Sequence, residues 1–280
     1  MIDFESFRYD GQRVLVVGGA TGMGAAAAQG AQALGASAVV LDYADIPFDA
    51  DQKIQVDLRD VDAVDAALDD ALGQAGGAFD AVFSAAGVAD GTPGVMRINF
   101  IAHRHIAERL VATGGLNPGG AICAISSVAG LSWQNQIPVL NDLLDTPDYA
   151  SADEWVQAHE GCDNYAFSKM VMNCYVARQA YPFMAKGIRI NAVCPGPTDT
   201  PLARANEDMW LGFARDYREA TGAEVLTPED IAQTMLFLNS RAATGVSGIN
   251  MLVDRGHIMS SMVGSFETGQ GLVNVLLGRG

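Results

Sequence analysis

Seven short apolar runs, separated by segments of helix length, constrain this chain more than any other feature. They are RVLVV at 13–17, AVVLD at 38–42, KIQVD at 53–57, AVFSA at 81–85, AICAIS at 121–126, IRINAVC at 188–194 and GINMLVD at 248–254. Runs so rich in Val and Ile, without polar alternation, read as parallel strands buried on both faces. Helical segments are expected from Gly22 through the following alanines, after Leu58, from Met96 to Val111, from Tyr165 onward, and after Thr227. Thr227 is placed to cap the last of these, with Pro228 in its first turn. Asp62, Asp65 and Asp69 are spaced for one solvated helix face. Strand and helix in alternation predict an α/β fold: a single Rossmann-type doubly wound parallel sheet of about seven strands, flanked by helices. No repeat, long linker or low-complexity tract divides the chain, so residues 1–280 are read as one domain.

Two stretches break the rhythm. Residues 131–164 are too long for a crossover loop and are expected to form an insert with one or two short helices. The insert contains Trp133, Ile137, Leu140, Leu143, Leu144 and Trp155, and a capping box is expected from Ser151 to Glu154. The tail, 260–280, carries a late apolar GLVNVLL, suited either to packing on a neighbouring subunit or to fraying.

The composition narrows the function classes. Hydrophobic residues make up 49% and charged residues 18%, enough for a large core and against disorder. A net charge of -16 repels polyanions, so neither nucleic acid nor an anionic membrane is an expected partner. Cys123, Cys162, Cys174 and Cys194 form no C-x-x-C pair, which argues against a disulfide framework or a zinc site. The opening MIDFESFRYD has no basic region ahead of an apolar stretch, and no run approaches 18 uninterrupted apolar residues. A reduced, cytoplasmic protein is expected.

The segment VLVVGGATGMG places Gly18, Gly22 and Gly24 after the first strand, at the opening of a helix. Gly18 permits a tight turn, Gly22 lets the backbone approach a pyrophosphate, and Gly24 allows helix and strand to pack closely. The helix N-terminus supplies N–H donors to the anion. Asp42 ends the second run, placed to accept hydrogen bonds from ribose hydroxyls and to repel a 2′-phosphate. No Lys or Arg lies between residues 35 and 50, and Thr21 within the turn is neutral, so NAD is expected over NADP.

Tyr165 and Lys169 lie four apart, on one face of a helix. An ordinary phenol titrates near pH 10, and a nearby ammonium favours the phenolate. In order, the glycine turn, Asp42, Asn99, Ser127, Tyr165, Lys169 and CPGPTDT resemble the short-chain dehydrogenase/reductase family from about Arg13 to Asp254. The resemblance implies that Tyr165 is the general acid/base and that Lys169 lowers its pKa and holds the nicotinamide ribose. It implies that Ser127 hydrogen-bonds the carbonyl oxygen and that Asn99 orders a relay water. Met23 and Tyr43 join the expected cofactor contacts, with Asp57 and Leu58 at the adenine. Ala85, Ala86 and Gly87 are expected behind the cofactor, and Pro195, Gly196, Thr198 and Thr200 at the nicotinamide. Ser126 is expected only to pack.

The chain also departs from the family pattern. Ser84-Ala85-Ala86-Gly87 replaces N-N-A-G, and Asp254-Arg255-Gly256 replaces D-G-G. Val17 stands where the glycine motif usually opens with Thr, and Ser127 and Tyr165 are 38 positions apart, longer than is common. That insert resembles the subgroup of bacterial 3α-hydroxysteroid dehydrogenase/carbonyl reductase, with coniferyl-alcohol dehydrogenase similar. It implies a bulky apolar alcohol or ketone and a homodimer or homotetramer. Trp133, Trp155 and Trp210 are candidates for the pocket wall or for plain packing. His103 and His105 sit too far apart around a helix to share a metal, and His257 reads as a surface or interface residue. No metal is expected. An NADP-linked reductase and a non-catalytic cofactor-binding regulator remain alternatives.

Overall fold

The computed structural model describes residues 3–73 and 77–279; residues 1–2, 74–76 and 280, which the single-domain reading includes, lie outside them. All seven apolar runs form strands: β1 (Arg13–Val17), β2 (Ser37–Asp42), β3 (Gln52–Gln55), β4 (Phe79–Ser84), β5 (Leu116–Ile125), β6 (Arg189–Pro195) and β7 (Asn250–Val253). They make one parallel sheet in the order β3-β2-β1-β4-β5-β6-β7. β1 is buried along its whole length. In register, Val17 lies beside Leu41 on one side and Ser84 on the other. The chain winds outward in opposite directions from β1 and β4, which opens a crevice beyond their C-terminal ends.

Helices cover both faces. On one side lie α1 (Gly22–Ala33) and, from later in the chain, the helix capped by Thr227. On the other lie α2 (Val61–Gly73) and α3 (Ala102–Thr113), together with the insert helices α4 (Ile137–Leu144) and α5 (Tyr149–Ala158) and the long α6 (Tyr165–Met184). α3 is entered through a π-turn, Arg97–Ile101, where the Ala102 N–H bonds to the carbonyl of Arg97. Short helices α7 (Pro201–Arg204), α8 (Glu207–Trp210) and α9 (Arg215–Thr221) follow β6, before α10 (Pro228–Asn239). Thr227 and Asp230 form a reciprocal capping box there, with Pro228 in the first turn as expected. The chain ends through α11 (His257–Met262) and α12 (Gln270–Leu276).

Three expectations are corrected. The α5 cap is Asp148, whose carboxylate accepts the Ser151 N–H at 2.8 Å; Ser151 lies inside the helix. The α2 face is not merely solvated, because Arg109 of α3 reaches Asp65 at 2.7 Å and Asp69 at 2.6 Å. The tail packs on its own chain: Val273 is fully buried against Val128 and Ile258, and Asn135 donates to the Leu277 carbonyl.

The insert also packs inward. Leu140, Leu143, Tyr149, Ala152 and Val156 join the core on the α3/α6 side. The Tyr149 hydroxyl donates to the Leu58 carbonyl at 2.8 Å, and Arg97 pairs with Asp153. All four cysteines are free and buried, and burial raises the pKa of each thiol.

Candidate active site

The crevice is built around glycines that no other residue could replace without movement. Gly18 has φ +84°, and a Cβ there would lie 2.2 Å from the Ala86 backbone. A Cβ on Gly24 would lie 2.0 Å from the Gly18 carbonyl oxygen, so α1 rests directly on the turn. Gly22 (φ +58°) starts α1 and faces Thr200. The composition of the turn hides one further contact: a Cβ on Gly19 would collide with Val40 at 2.4 Å.

A cavity of about 420 Å³ opens over this turn, with Thr21, Met23, Asp42, Tyr43, Asp57 and Leu58 on its wall. The Asp42 carboxylate accepts the Ala20 N–H at 2.8 Å and the Ala44 N–H at 2.9 Å, which fixes its orientation. Asp57 is engaged by its neighbour. Arg59 grips its carboxylate at 2.6 Å and holds its pKa below the usual carboxylate range. Arg59 also lines the cavity, a cation outside the 35–50 window read from sequence. A glycine cradle that a Cβ would fill, an open helix N-terminus and an oriented carboxylate fit a dinucleotide.

The segment after β4 forms the back of the crevice. Ala85 and Ala86 both donate to the Val17 carbonyl, at 2.7 and 2.8 Å. Asn99 holds Val88 at both ends, accepting its N–H at 2.8 Å and donating to its carbonyl at 3.0 Å. Its amide also reaches the Ser168 hydroxyl at 3.2 Å, so the Asn99 side chain is fully committed within the protein. Gly87 lies beside both Asn99 and Lys169.

Ser127, Tyr165 and Lys169 meet at the next strand edge. Ser127 ends the β5 exit and accepts the Ala129 N–H. Tyr165 opens α6, its N–H donated to Asp90 at 2.6 Å, and it shares one cavity with Ser127. Lys169 lies one turn on, with Nζ 5.4 Å from the Tyr165 ring centre, donating to the Ile125 carbonyl at 2.9 Å.

Burial dominates the electrostatics of the pair. Burial pushes the Tyr165 phenol up to about 12, opposed by the Ser127 hydrogen bond, while the Asp90 carboxylate raises it further. Burial brings Lys169 down to about 8. In the protein alone, burial is the largest influence on both groups. Ser126 packs as expected, its hydroxyl bonded to the Lys169 carbonyl at 3.1 Å.

A second cavity, about 370 Å³, holds this trio and joins the first through Met23, Ala85, Gly87, Thr200 and Leu202. Pro195, Gly196 and Thr198 line it, and Thr198 donates to the Gly196 carbonyl at 3.0 Å. Ala86 stays on the wall of the first cavity. The outer wall is apolar: Val128, Leu202, Trp210, Phe213 and Leu276. Trp210 packs against Tyr165, with ring centres 4.8 Å apart and planes tilted by 41°.

Neither Trp133 nor Trp155 lines this cavity. Trp155 stacks between His159 and Phe167 and donates to Asp142, and Trp133 packs on the core. The pocket wall therefore comes from the segment after β6 and from the tail. Among the described residues no group of three or more His, Cys, Asp or Glu could hold a metal ion. His103 is buried behind Ala86, His105 meets Asp65 at 2.7 Å, and His257 is buried among Phe213, Tyr217 and Phe266 rather than lying at the surface.

This sheet and crevice define a Rossmann-like fold with a serine, a tyrosine and a lysine together at one end of the crevice. Residues 149–257 match the family model described as enoyl-(acyl carrier protein) reductase. The coniferyl-alcohol dehydrogenase of Pseudomonas sp. strain HR199 is 25% identical over 88% of this chain and 96% of its own. The 3-alpha-hydroxysteroid dehydrogenase/carbonyl reductase of Comamonas testosteroni is 26% identical over 87% of this chain and 95% of its own. The 3-alpha-hydroxysteroid dehydrogenase of Pseudomonas sp. B-0831, solved in complex with NADH, superposes with a TM-score of 0.72. It shares 22% identity, over 91% of this chain and 99% of that one. Along most of its length the chain is similar to oxidoreductases of the short-chain dehydrogenase/reductase type.

Proposed function

We propose that this protein is an NAD-dependent dehydrogenase that interconverts a neutral, bulky, apolar secondary alcohol and its ketone. The observation that carries the reading is that Ser127, Tyr165 and Lys169 share one cavity, continuous with the glycine crevice. In this reading the Tyr165 oxygen takes the hydroxyl proton in oxidation and returns it in reduction. Ser127 holds the reacting oxygen by a hydrogen bond. Lys169 orients the ribose and carries positive charge next to the phenol. Asn99, its amide committed, contributes to a relay through backbone placement. Bound nicotinamide supplies the hydride acceptor or donor.

For NAD, the support is Asp42, fixed by two backbone donors where a 2′-phosphate would meet its charge. Arg59 is the observation that favours NADP, and its pairing with Asp57 turns it away from that role. For an apolar substrate, the support is the wall of Val128, Leu202, Phe213 and Leu276. The names of the steroid and coniferyl-alcohol relatives agree with it. A cytoplasmic homodimer or homotetramer belongs to the same proposal, with four free cysteines in support of the compartment.

The experiment is direct. The purified chain is given NAD or NADP with a panel of alcohols of increasing apolar size, and reduced nicotinamide is followed by absorbance. Turnover with NAD that improves with substrate size is expected. Binding of NADH without turnover of any alcohol or ketone would leave a cofactor-binding regulator instead.

A further inference from the structure

We propose that His103 is a positioning residue for the nicotinamide half of the dinucleotide, acting with Ser84 and Asn99 through the backbone of residues 86–88. The inference rests on the dinucleotide reading of the crevice above.

His103 Nε2 lies 3.0 Å from the Ala86 carbonyl oxygen, and Nδ1 lies 2.6 Å from the Ser84 hydroxyl. A carbonyl only accepts, so Nε2 carries the proton and Nδ1 accepts from Ser84. Each partner fixes one nitrogen, which leaves a single tautomer. The ring is 3% exposed, and burial lowers its pKa to about 4, so it is neutral near pH 7.

Asn99 stands four residues earlier, on the same face of the helix. Its two bonds to Val88 and the His103 bond to Ala86 form a three-point clamp on one short segment. That segment touches both halves of the site. Ala86 is the atom group that a Cβ on Gly18 would strike, and a Cβ on Gly87 would lie 3.8 Å from Lys169 Nζ. Gly87 lines both cavities, at the passage from the glycine turn to Tyr165. A shift of the Ala86 carbonyl therefore moves the surface between the phosphate turn and the lysine.

A buried imidazole is a costly way to fill space, because both nitrogens must find partners. Leucine would fill a comparable volume with no such demand. Ala86 lies beyond the end of β4, and the His103 ring holds its carbonyl.

The test compares two ligands on the full chain. NADH carries the nicotinamide half and ADP does not. His103→Leu is expected to raise the NADH dissociation constant roughly tenfold and to leave that of ADP unchanged. His103→Gln, whose amide can reach the Ala86 carbonyl, is expected to recover most of the loss. Ser84→Ala, which removes the tautomer-setting donor while keeping the imidazole, is expected to weaken NADH by about threefold and spare ADP. Equal losses for both ligands would overturn the proposal in favour of a purely structural role. So would unchanged NADH binding in both Ser84→Ala and His103→Leu. If His103→Leu does not fold, Ser84→Ala carries the same comparison, and unchanged NADH binding there overturns the proposal. Absence of alcohol turnover in the wild type would overturn the proposed function but leave this binding difference measurable.

Discussion

The Lys169 ammonium lies 5.4 Å from the centre of the Tyr165 ring, yet its hydrogen bond goes to the Ile125 carbonyl. The pair is adjacent without being directly bonded. Burial dominates both groups, raising the phenol to about 12 and lowering the ammonium to about 8. Each shift disfavours the charged form, as expected for groups taken out of water. A phenol titrating that high is a poor base near neutrality, so charge near it has a measurable effect on rate.

Removing the phenol oxygen tests its role. Tyr165→Phe is expected to lower kcat by about 10²- to 10⁴-fold while the NADH dissociation constant stays close to wild type. Steady-state kinetics together with a fluorescence titration read both quantities. Near-normal turnover in the variant would remove Tyr165 from the chemistry.

Asp90 offers a test by pH. Its carboxylate accepts the Tyr165 N–H and raises the phenol pKa. Asp90→Asn keeps an acceptor and loses the charge, so the phenol pKa falls. Alcohol oxidation needs the phenolate and declines as pH drops through that pKa. Its acid limb is therefore expected to move to lower pH in the variant. Ketone reduction needs the protonated phenol, so its alkaline limb moves the same way. Profiles of kcat/KM at saturating cofactor check the direction, and an upward shift would contradict it.

Cofactor choice tests Asp42. The wild type is expected to prefer NAD, and Asp42→Ala/Tyr43→Arg to move the NADP-to-NAD ratio of kcat/KM upward on the order of 10²-fold. Asp57→Asn is expected to shift it the same way by less, because Arg59 loses the carboxylate that holds it at 2.6 Å. A wild type that already prefers NADP would count against Asp42 as the selector.

The tryptophans divide by location. Trp210→Ala is expected to raise KM for a large apolar alcohol about tenfold and to change KM little for a small one, since its ring lies over Tyr165 in the cavity. Trp155→Ala is expected to leave the ratio of the two KM values alone and to cost about 1–3 kcal/mol of stability. Substrate kinetics and denaturant unfolding separate the two effects.

Much of this architecture is legible in the residues themselves. Strands buried on both faces are written as unbroken Val and Ile runs, and the glycine turn announces the crevice because its contacts are short-range. The docking of the insert is not legible. Leu140, Leu143 and Leu144 report that they are buried, not what buries them, and the answer is the chain's own α3/α6 side. The α5 cap went to Asp148 over Ser151 because both types cap well and only the entry angle of the chain chooses between them. Arg59 is not legible as a cavity residue because it follows β3, 17 positions beyond Asp42, and only the folded chain brings both onto one wall. Ser84 and His103 lie 19 apart with no spacing rule to join them.

The buried thiols bear on how the protein can be handled. Alkylating and oxidising reagents act on thiolates, and all four sulfhydryls here are enclosed and held protonated, Cys194 with a pKa near 12. The folded chain is therefore expected to react slowly with maleimides. One cysteine introduced at a bare surface position, such as Tyr181 at 83% exposure, would be the sole attachment point for a dye or a tether, with no native cysteine first mutated away.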